Sequence, residues 1–517
     1  MIKPTLEEVK KLSRDHTIVP IALEIFSDQK TPIEILRNIR RQSDCWFILE
    51  SVSSSDSWGR YSFLGYKPVL TIYGTGDSVI MKNGIHVSEK IGDPIAIIRD
   101  VISKYSSPRV PFLPPFTGGF VGYFAYDFVR HIIPGLAFHT EKSRSFGMTS
   151  DRTSDNETFR DFHLMLIDKL IVFDHFKQKI YIIVNIPANR MAESSVDGVA
   201  RSKSIEENYI DGVTQLKDIE RMILTPAADS DEEPSLCGEF SSAFTIDEFG
   251  GMVEKVKHHI AEGDISQAVV SNRFKAPFSG SLMNTYRILR TTNPSAYMVY
   301  LRLDDMEIAC SSPETLIALR DGVLSSFPIA GTCPRGRNAE EDAALIESLL
   351  KDEKELAEHD MLVDLARNDI GKISRFGSVK VHEYRQIRRL SHVNHIFSQV
   401  NGKLCEGMDA LDVISAAMPA GTLSGAPKKR ACEIIDSVEG LKRGIYGGAI
   451  GYIDFAGNMD MCIGIRMAVL KNDNVYVQAG AGIVADSVPE KEYKESLNKA
   501  AAVLEALKTA GRSEKWY

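Results

Sequence analysis

The stretch AIGYIDFAGNMDMCIGIRMAVLKNDNVYVQAGAGIV (449–484) carries apolar residues at alternate positions, broken only at Ala456-Gly457-Asn458 and at Lys471–Asn474. A period of two with short polar breaks is the pattern of consecutive antiparallel strands, a meander. The same period recurs in RYSFLGYKPVLTIYG (60–74) and in 161–185, which reads as two long strands around a polar turn at His175–Gln178. Further strands are expected at 296–303 and 306–320, with a hairpin through Asp321-Gly322 into VLSSFPIAG. Helical segments come in blocks instead: IDEFGGMVEKVKHHIAEG closed by Gly263, a stretch over 339–368, and PEKEYKESLNKAAAVLEALK opened by Pro489. Long antiparallel runs with blocked helices predict an α+β fold rather than a doubly wound parallel sheet. GGFVGYF (118–124) and GGAIGYI (447–453) share a G-G-x-x-G-Y pattern. Two strands of similar build would produce it, and so would coincidence.

A chain of 517 residues exceeds one ordinary core. TPAADSDEEPSLCGEFSSA (225–243) is acidic, rich in Ser and Pro and without apolar periodicity, as a linker is; a second polar stretch lies near 191–206. The expected organisation is an N-terminal α+β domain over 1–224, the linker, and a second domain over 244–510. With 61 basic and 70 acidic residues the formal charge is −9, which leaves no electrostatic footprint for nucleic acid. Seven cysteines, all at least 23 residues apart, exclude C-x-x-C clusters, and their odd number argues against a disulfide framework. No apolar run approaches the ~18 residues a membrane span requires. A soluble, cytoplasmic protein is expected. Neither G-x-G-x-x-G after a strand nor G-x-x-x-x-G-K-[ST] is present, so nucleotide binding lacks its usual signature.

The most informative residues are acids. Glu355 and Glu358 stand three apart on one expected helix, Glu492 and Glu495 three apart on another. Such spacing turns each pair to one face. Two such faces could hold a hard cation such as Mg²⁺, or both could be solvated surfaces laced with Lys. Gly480-Ala481-Gly482 at a strand end lets backbone approach a ligand carboxylate, or marks a bulge. Gly331 and Thr332, followed by Arg335 and Arg337, and Thr422 before two lysines form turns suited to an anion or to plain chain reversal. Arg466 reads as a mid-sheet strand residue with Gly464 and Ala468 on its face, a trough for a guanidinium that binds a carboxylate ligand or pairs with a structural acid. His395 alternates with apolar positions, as a core histidine or a proton carrier would. Glu314 stands where a strand begins, as a cap or as an acid.

Taken together, SPE (312–314), PIAGT (328–332), KELAEHDMLVDLARND (354–369), PAGTLSGAPK (419–428), GIYGGAIGY (444–452), GIRM (464–467) and QAGAGIVADSVPEKEYKE (478–495) resemble the chorismate-utilising enzymes, most closely their anthranilate synthase component I branch. ILES (48–51), RYSFLG (60–65) and GGFVGYFAYD (118–127) extend the resemblance to the first half. It implies large antiparallel sheets packed as a sandwich with helices outside, and 244–510 as the chorismate-binding catalytic domain.

Within that family, relatives that add water carry lysine where this sequence has Gln267, and para-amino relatives carry lysine where it has Ala330. An amide cannot serve as base for water, and alanine cannot form an amine adduct. Free ammonia attacking C2 of chorismate, followed by loss of pyruvate, is the implied reaction: anthranilate synthesis for tryptophan biosynthesis. The resemblance makes Glu358 and Glu495 Mg²⁺ ligands, with Glu355 and Glu492 holding its waters. Glu314 becomes general acid, His395 the proton carrier in elimination, and Thr422, Gly331 and Thr332 pocket residues. Arg466, Tyr446 and the backbone of Gly480, Ala481 and Gly482 hold the enolpyruvyl carboxylate. No G-x-C-x-G motif is present, so a separate glutaminase subunit is implied as the ammonia source, in a heterotetramer. L-tryptophan feedback is implied at Ser51, Ala296, Tyr297 and Met298, with Ala296 replacing a family proline. The rival readings are an aminodeoxychorismate synthase component and an inactive tryptophan-binding subunit.

Overall fold

The computed structural model describes residues 2–51, 59–136, 159–188, 203–226, 234–389 and 393–511. Among them run two antiparallel sheets, one of fourteen strands and one of twelve. Each takes strands from both of the expected domains. In the larger, Trp46–Glu50 pairs with Tyr297–Leu303, Ile48 facing Tyr300. In the smaller, Gly119–Phe124 pairs with Ala449–Asp454. Part of the expected linker also enters the larger sheet: Ser235–Leu236 and Ser241–Ser242 pair with the strand Gln267–Ser279. Residues 227–233 of that linker, and 191–202 of the other polar stretch, lie outside the described residues.

The two sheets bury a common core, because alternate residues of each strand face inward. Phe47, Phe63 and Val172 of the larger sheet meet the same cluster as Phe120, Ile317 and Met461 of the smaller. Their sequence neighbours Trp46, Ile48 and Leu64 point the other way, onto Leu216, Tyr286 and Val503 of outer helices. A strand buried on both faces loses its polar alternation, which is why Phe162–Ile167 is buried at every position. Each such large side chain contributes roughly 1.5–3 kcal/mol relative to exposure. The sandwich with outer helices is the expected α+β architecture. No helix among the described residues is long and apolar enough to cross a membrane.

The repeated G-G-x-x-G-Y pattern belongs to two strands that lie side by side, with Gly122 directly opposite Gly451. A Cβ on Gly451 would sit 2.0 Å from the carbonyl oxygen of Asp460, and one on Gly122 1.9 Å from that of His163. Close approach of neighbouring backbone, not chance, accounts for both glycines.

Four expected elements need correction. Residues 161–185 form three strands rather than two: Phe162–Ile167 in the smaller sheet, then Lys169–Asp174 and Lys179–Pro187 in the larger. The strand expected over 306–320 divides at Pro313-Glu314, Met306–Ser312 belonging to the larger sheet and Thr315–Arg320 to the smaller. The C-terminal meander likewise changes sheet, between Met459–Ile463 and Met467–Lys471. Both sheets face one core, so the apolar period runs on unaltered as the chain passes from one to the other. The helix expected over 339–368 is two, Ala339–Leu349 and Glu353–Gly371; the Asp352 carboxylate caps the second by accepting from the N–H groups of Lys354 and Glu355.

Candidate active site

Two of these sheet changes position candidate site residues, Glu314 and Arg466. At the first, Ser312 Oγ donates to the Ile463 carbonyl at 2.7 Å, and the Ile463 N–H donates to the Glu314 carbonyl at 3.0 Å. The turn is thereby fixed and the Glu314 side chain is held inward. Burial pushes its carboxyl up to about 7, while Thr422 and the charge of Lys499 pull the other way. Thr422 Oγ1 donates to Glu314 Oε1 at 2.9 Å. Thr422 lies in the short turn Gly421–Leu423, which Arg443 anchors by donating to the Leu423 carbonyl at 2.6 Å. Arg443 also donates to the Val269 carbonyl and to both oxygens of Glu439, a buried ion pair.

At the second, Arg466 is not a strand residue. It occupies the bend after Met459–Ile463 with φ +53°, so the expected trough between Gly464 and Ala468 is not its face. Gly464 is small for another reason: a Cβ there would lie 2.4 Å from the Ile445 carbonyl oxygen. The Arg466 guanidinium is partly buried, its pKa held down by that burial and raised in part by Tyr446 alongside. Among the described residues no acid pairs with it.

The four acids converge. Glu358, on Glu353–Gly371, is held above the usual glutamate range first by the protein around it, then by the neighbouring charge of Glu355, with Glu495 of the C-terminal helix adding to it. Glu492 is raised first by desolvation and also by Glu495, against a hydrogen bond from Ser487. Glu355 and Glu495 thus make Glu358 harder to ionise, and Glu495 does the same to Glu492, as neighbouring carboxylates do. The cations among them are Lys354 and Lys499, the latter 2.7 Å from Glu495 Oε1. Lys499 escaped the sequence reading, although its place four residues after Glu495 was visible there.

Gly331 makes a bulge between Ala330 and Thr332 with φ +78°. A Cβ there would lie 2.8 Å from Ile396 and 3.5 Å from Glu355 Oε2, which places this glycine against the acid cluster. Thr332 is cross-strand partner of His395, their Oγ1 and Nδ1 atoms 2.9 Å apart. Burial lowers the His395 pKa, which keeps the ring neutral at pH 7. Gly482 opens onto free space, Ala481 points into the helix-covered core with Val270, and Gly480 is small because a Cβ would meet the Val270 carbonyl at 2.4 Å. Gln267 is buried at the start of its strand, opposite Ala426.

On the opposite half of the larger sheet, Met298 pairs with Glu50, which sets Ser51 beside Tyr297 and Ala296. The Ser51 hydroxyl is buried without a hydrogen-bond partner among the described residues. Tyr297 donates to Asp460 at 2.7 Å.

Comparison with known proteins places the chain in a family. A family model described as chorismate binding enzyme matches residues 70–505. Anthranilate synthase component 1 of Acetivibrio thermocellus is 43% identical over 516 residues, 99% of each chain, and that of Aquifex aeolicus 42% over 520 residues, again 99% of each. The crystal structure of anthranilate synthase component I from Streptococcus pneumoniae superposes with a TM-score of 0.71 at 34% identity, covering 93% of this chain and 98% of that one. The chain belongs to the chorismate-binding enzyme family, in its anthranilate synthase component I branch.

Proposed function

We propose that this anthranilate synthase component works on chorismate and ammonia with Mg²⁺, releasing anthranilate and pyruvate, and that the acid cluster beside Glu314 is where it does so. The observation that carries this reading is that carboxylates of two helices meet: Glu355 and Glu495 both act on Glu358, and Glu495 acts on Glu492. That donor set fits a hard dication: all oxygen, with more negative charge than Lys354 and Lys499 neutralise. Glu358 and Glu495 would hold the ion and Glu355 and Glu492 its waters; when bound it offsets their repulsion and offers positive charge to an anionic substrate.

The chain's own groups supply the proton transfers. Glu314, near 7, retains a proton in a sizeable fraction of molecules at neutral pH and donates it to the C4 hydroxyl, which leaves as water while ammonia bonds to C2. Arg466 and Tyr446 orient the enolpyruvyl carboxylate, with the open backbone at Gly482. His395, neutral and steadied by Thr332, accepts the C2 proton as pyruvate is expelled and the ring becomes aromatic. Gln267 and Ala330 leave neither a base for water nor a tethered amine, which favours ammonia as nucleophile. A glutaminase subunit supplies it, in a heterotetramer. L-tryptophan feedback is assigned to Ser51, Ala296, Tyr297 and Met298, in part on residues 1–224, where the buried Ser51 hydroxyl has no hydrogen-bond partner among the described residues. Residues 244–510 carry the catalytic groups.

The test is chorismate consumption with ammonium salts, with and without EDTA, and product identity by fluorescence and mass. Anthranilate made only with the metal supports the reading. Aminodeoxychorismate, or tryptophan binding without turnover, would overturn it.

A further inference from the structure

The strands that bring Thr332 to His395 meet at their ends on one carboxylate. Asp342 lies in the first turn of the helix Ala339–Leu349 and is 6% exposed. Its Oδ1 accepts from Arg335 Nε at 2.9 Å, from the Gly336 N–H at 2.9 Å and from Asn394 Nδ2 at 3.0 Å. Its Oδ2 lies 3.5 Å from Arg389 Nε. These partners stand at the ends of three neighbouring strands. Ile329–Pro334 runs out into Arg335 and Gly336, Lys380–Arg389 ends on Arg389, and Val393–Lys403 begins one residue before Asn394. Asn394 faces Cys333 on one side and Arg389 on the other; one residue inward, His395 faces Thr332 and Arg388.

The backbone ladder is weak at this end. The bulge at Gly331 breaks the register between Ala330 and Thr332, so only Thr332, Cys333 and Pro334 pair beyond it, and Pro334 has no N–H to give. A strand end so placed frays unless it is tied down. Asp342 supplies the tie. Its donors, the Gly336 N–H first and then Asn394 and Arg335, hold its carboxyl well below the usual aspartate range. Gly336 is pressed onto the helix start, where an added Cβ would lie 2.1 Å from the Asp342 nitrogen. Arg335 and Arg337, which follow the turn that the sequence suited to an anion, meet acids of this helix instead: Arg337 Nε lies 3.0 Å from Glu341 Oε2.

We infer that Asp342 is a positioning residue for the elimination step: through Asn394, Arg335 and Gly336 it holds Thr332 and His395 opposite each other, so that the imidazole stands ready for the C2 proton. This deepens the proposed function and rests on the part given there to His395. The 2.9 Å contact of Thr332 Oγ1 with His395 Nδ1 lasts only while the two strands keep register, and a slip of one residue turns every side chain to the other face. The reaction has two stages. Ammonia bonds to C2 as the C4 hydroxyl leaves; then the C2 proton passes to His395, the C3–O bond breaks and pyruvate departs. A misplaced imidazole slows the second stage alone, and the amino adduct of the first leaves with its enolpyruvyl group attached. Damage to the fold at large slows both.

The experiment gives chorismate, ammonium chloride and Mg²⁺ to wild type, Asp342→Ala, Asp342→Asn, Asn394→Ala and His395→Ala. Anthranilate is read by fluorescence and the adduct by mass, which equals that of anthranilate plus pyruvate. Asp342→Ala and Asn394→Ala are expected to raise the ratio of adduct to anthranilate at least about tenfold, in the direction of His395→Ala. Asp342→Asn keeps the Oδ1 acceptor and is expected to stay within about threefold of wild type. Should Asp342→Ala not fold by circular dichroism, Asn394→Ala, which removes a single bond of the tie, carries the same expectation. Chorismate loss and anthranilate yield that fall together, with no adduct, overturn the inference alone. So does a ratio unchanged in the folded variants while His395→Ala raises it, or an Asp342→Asn as disturbed as Asp342→Ala. A ratio that His395→Ala leaves unchanged overturns the role given to His395 and this inference with it. A wild type that makes no anthranilate overturns the proposed function as a whole.

Discussion

Thr422 Oγ1 donates a 2.9 Å hydrogen bond to Glu314 Oε1 across 108 positions of chain. The bond favours the ionised carboxylate, against the burial that pushes the group up to about 7. Activity that needs the protonated form should fall on the alkaline side of that value, tenfold per pH unit at the limit. Thr422→Val and Lys499→Met each remove an influence that lowers the pKa, so both should move the falling limb of kcat/KM to higher pH. Glu314→Gln should abolish the limb and cost about 10²–10⁴-fold in rate. Stability gives an independent sign. A carboxyl raised on folding favours the native state at low pH and loses that contribution as pH rises from about 4.5 through 7. Glu314→Gln should therefore gain in thermal midpoint over wild type at pH 8 and not at pH 4.

Glu358→Gln removes a carboxylate that the charges of Glu355 and Glu495 make harder to ionise. Turnover should drop at least 10³-fold. Without added metal the thermal midpoint should stay equal or rise, because a repulsion has gone. The same assay with Mg²⁺ should show wild type stabilised and the variant less so. Residual activity within tenfold of wild type would remove Glu358 from the metal assignment.

Arg443 and Glu439 are 1% and 2% exposed, and Arg443 also carries the carbonyls of Leu423 and Val269. Arg443→Met strands a buried glutamate and two acceptors. A loss of about 3–5 kcal/mol is expected in urea denaturation. Because Leu423 adjoins Thr422, the surviving folded fraction should also show the Glu314 limb displaced.

Gly451→Val pushes a side chain into the Asp460 carbonyl at the centre of the smaller sheet. Soluble folded protein should be lost on expression. Gly457→Ala, in the exposed turn of the same hairpin where nothing lies within 4 Å, should fold with only the cost of φ +86°. A well-folded Gly451→Val by circular dichroism would contradict the close-approach account.

Much of this was legible beforehand. Local signals placed many of the strands, Pro489 opened the last helix where expected, and the paired spacing of Glu355, Glu358, Glu492 and Glu495 gave two acidic faces. These are short-range properties, set by backbone period and by side chains three or four residues apart, and they do not depend on what lies across the molecule.

Arg466 shows where that reach ends. Its neighbours read as a continuous strand, but the chain bends there to change sheets, and the guanidinium owes its surroundings to Tyr446 and not to Gly464 and Ala468. The breaks at Asp168 and at Pro313-Glu314 were hidden for the same reason. Strand period, paired acids and glycine positions are written in the order of residues. Which sheet a strand joins, that the two acidic faces meet, and that Glu314 is buried against Thr422 were decided by packing alone. Those relations join residues tens to hundreds of positions apart, and a common core rewards the same apolar alternation whichever sheet supplies it.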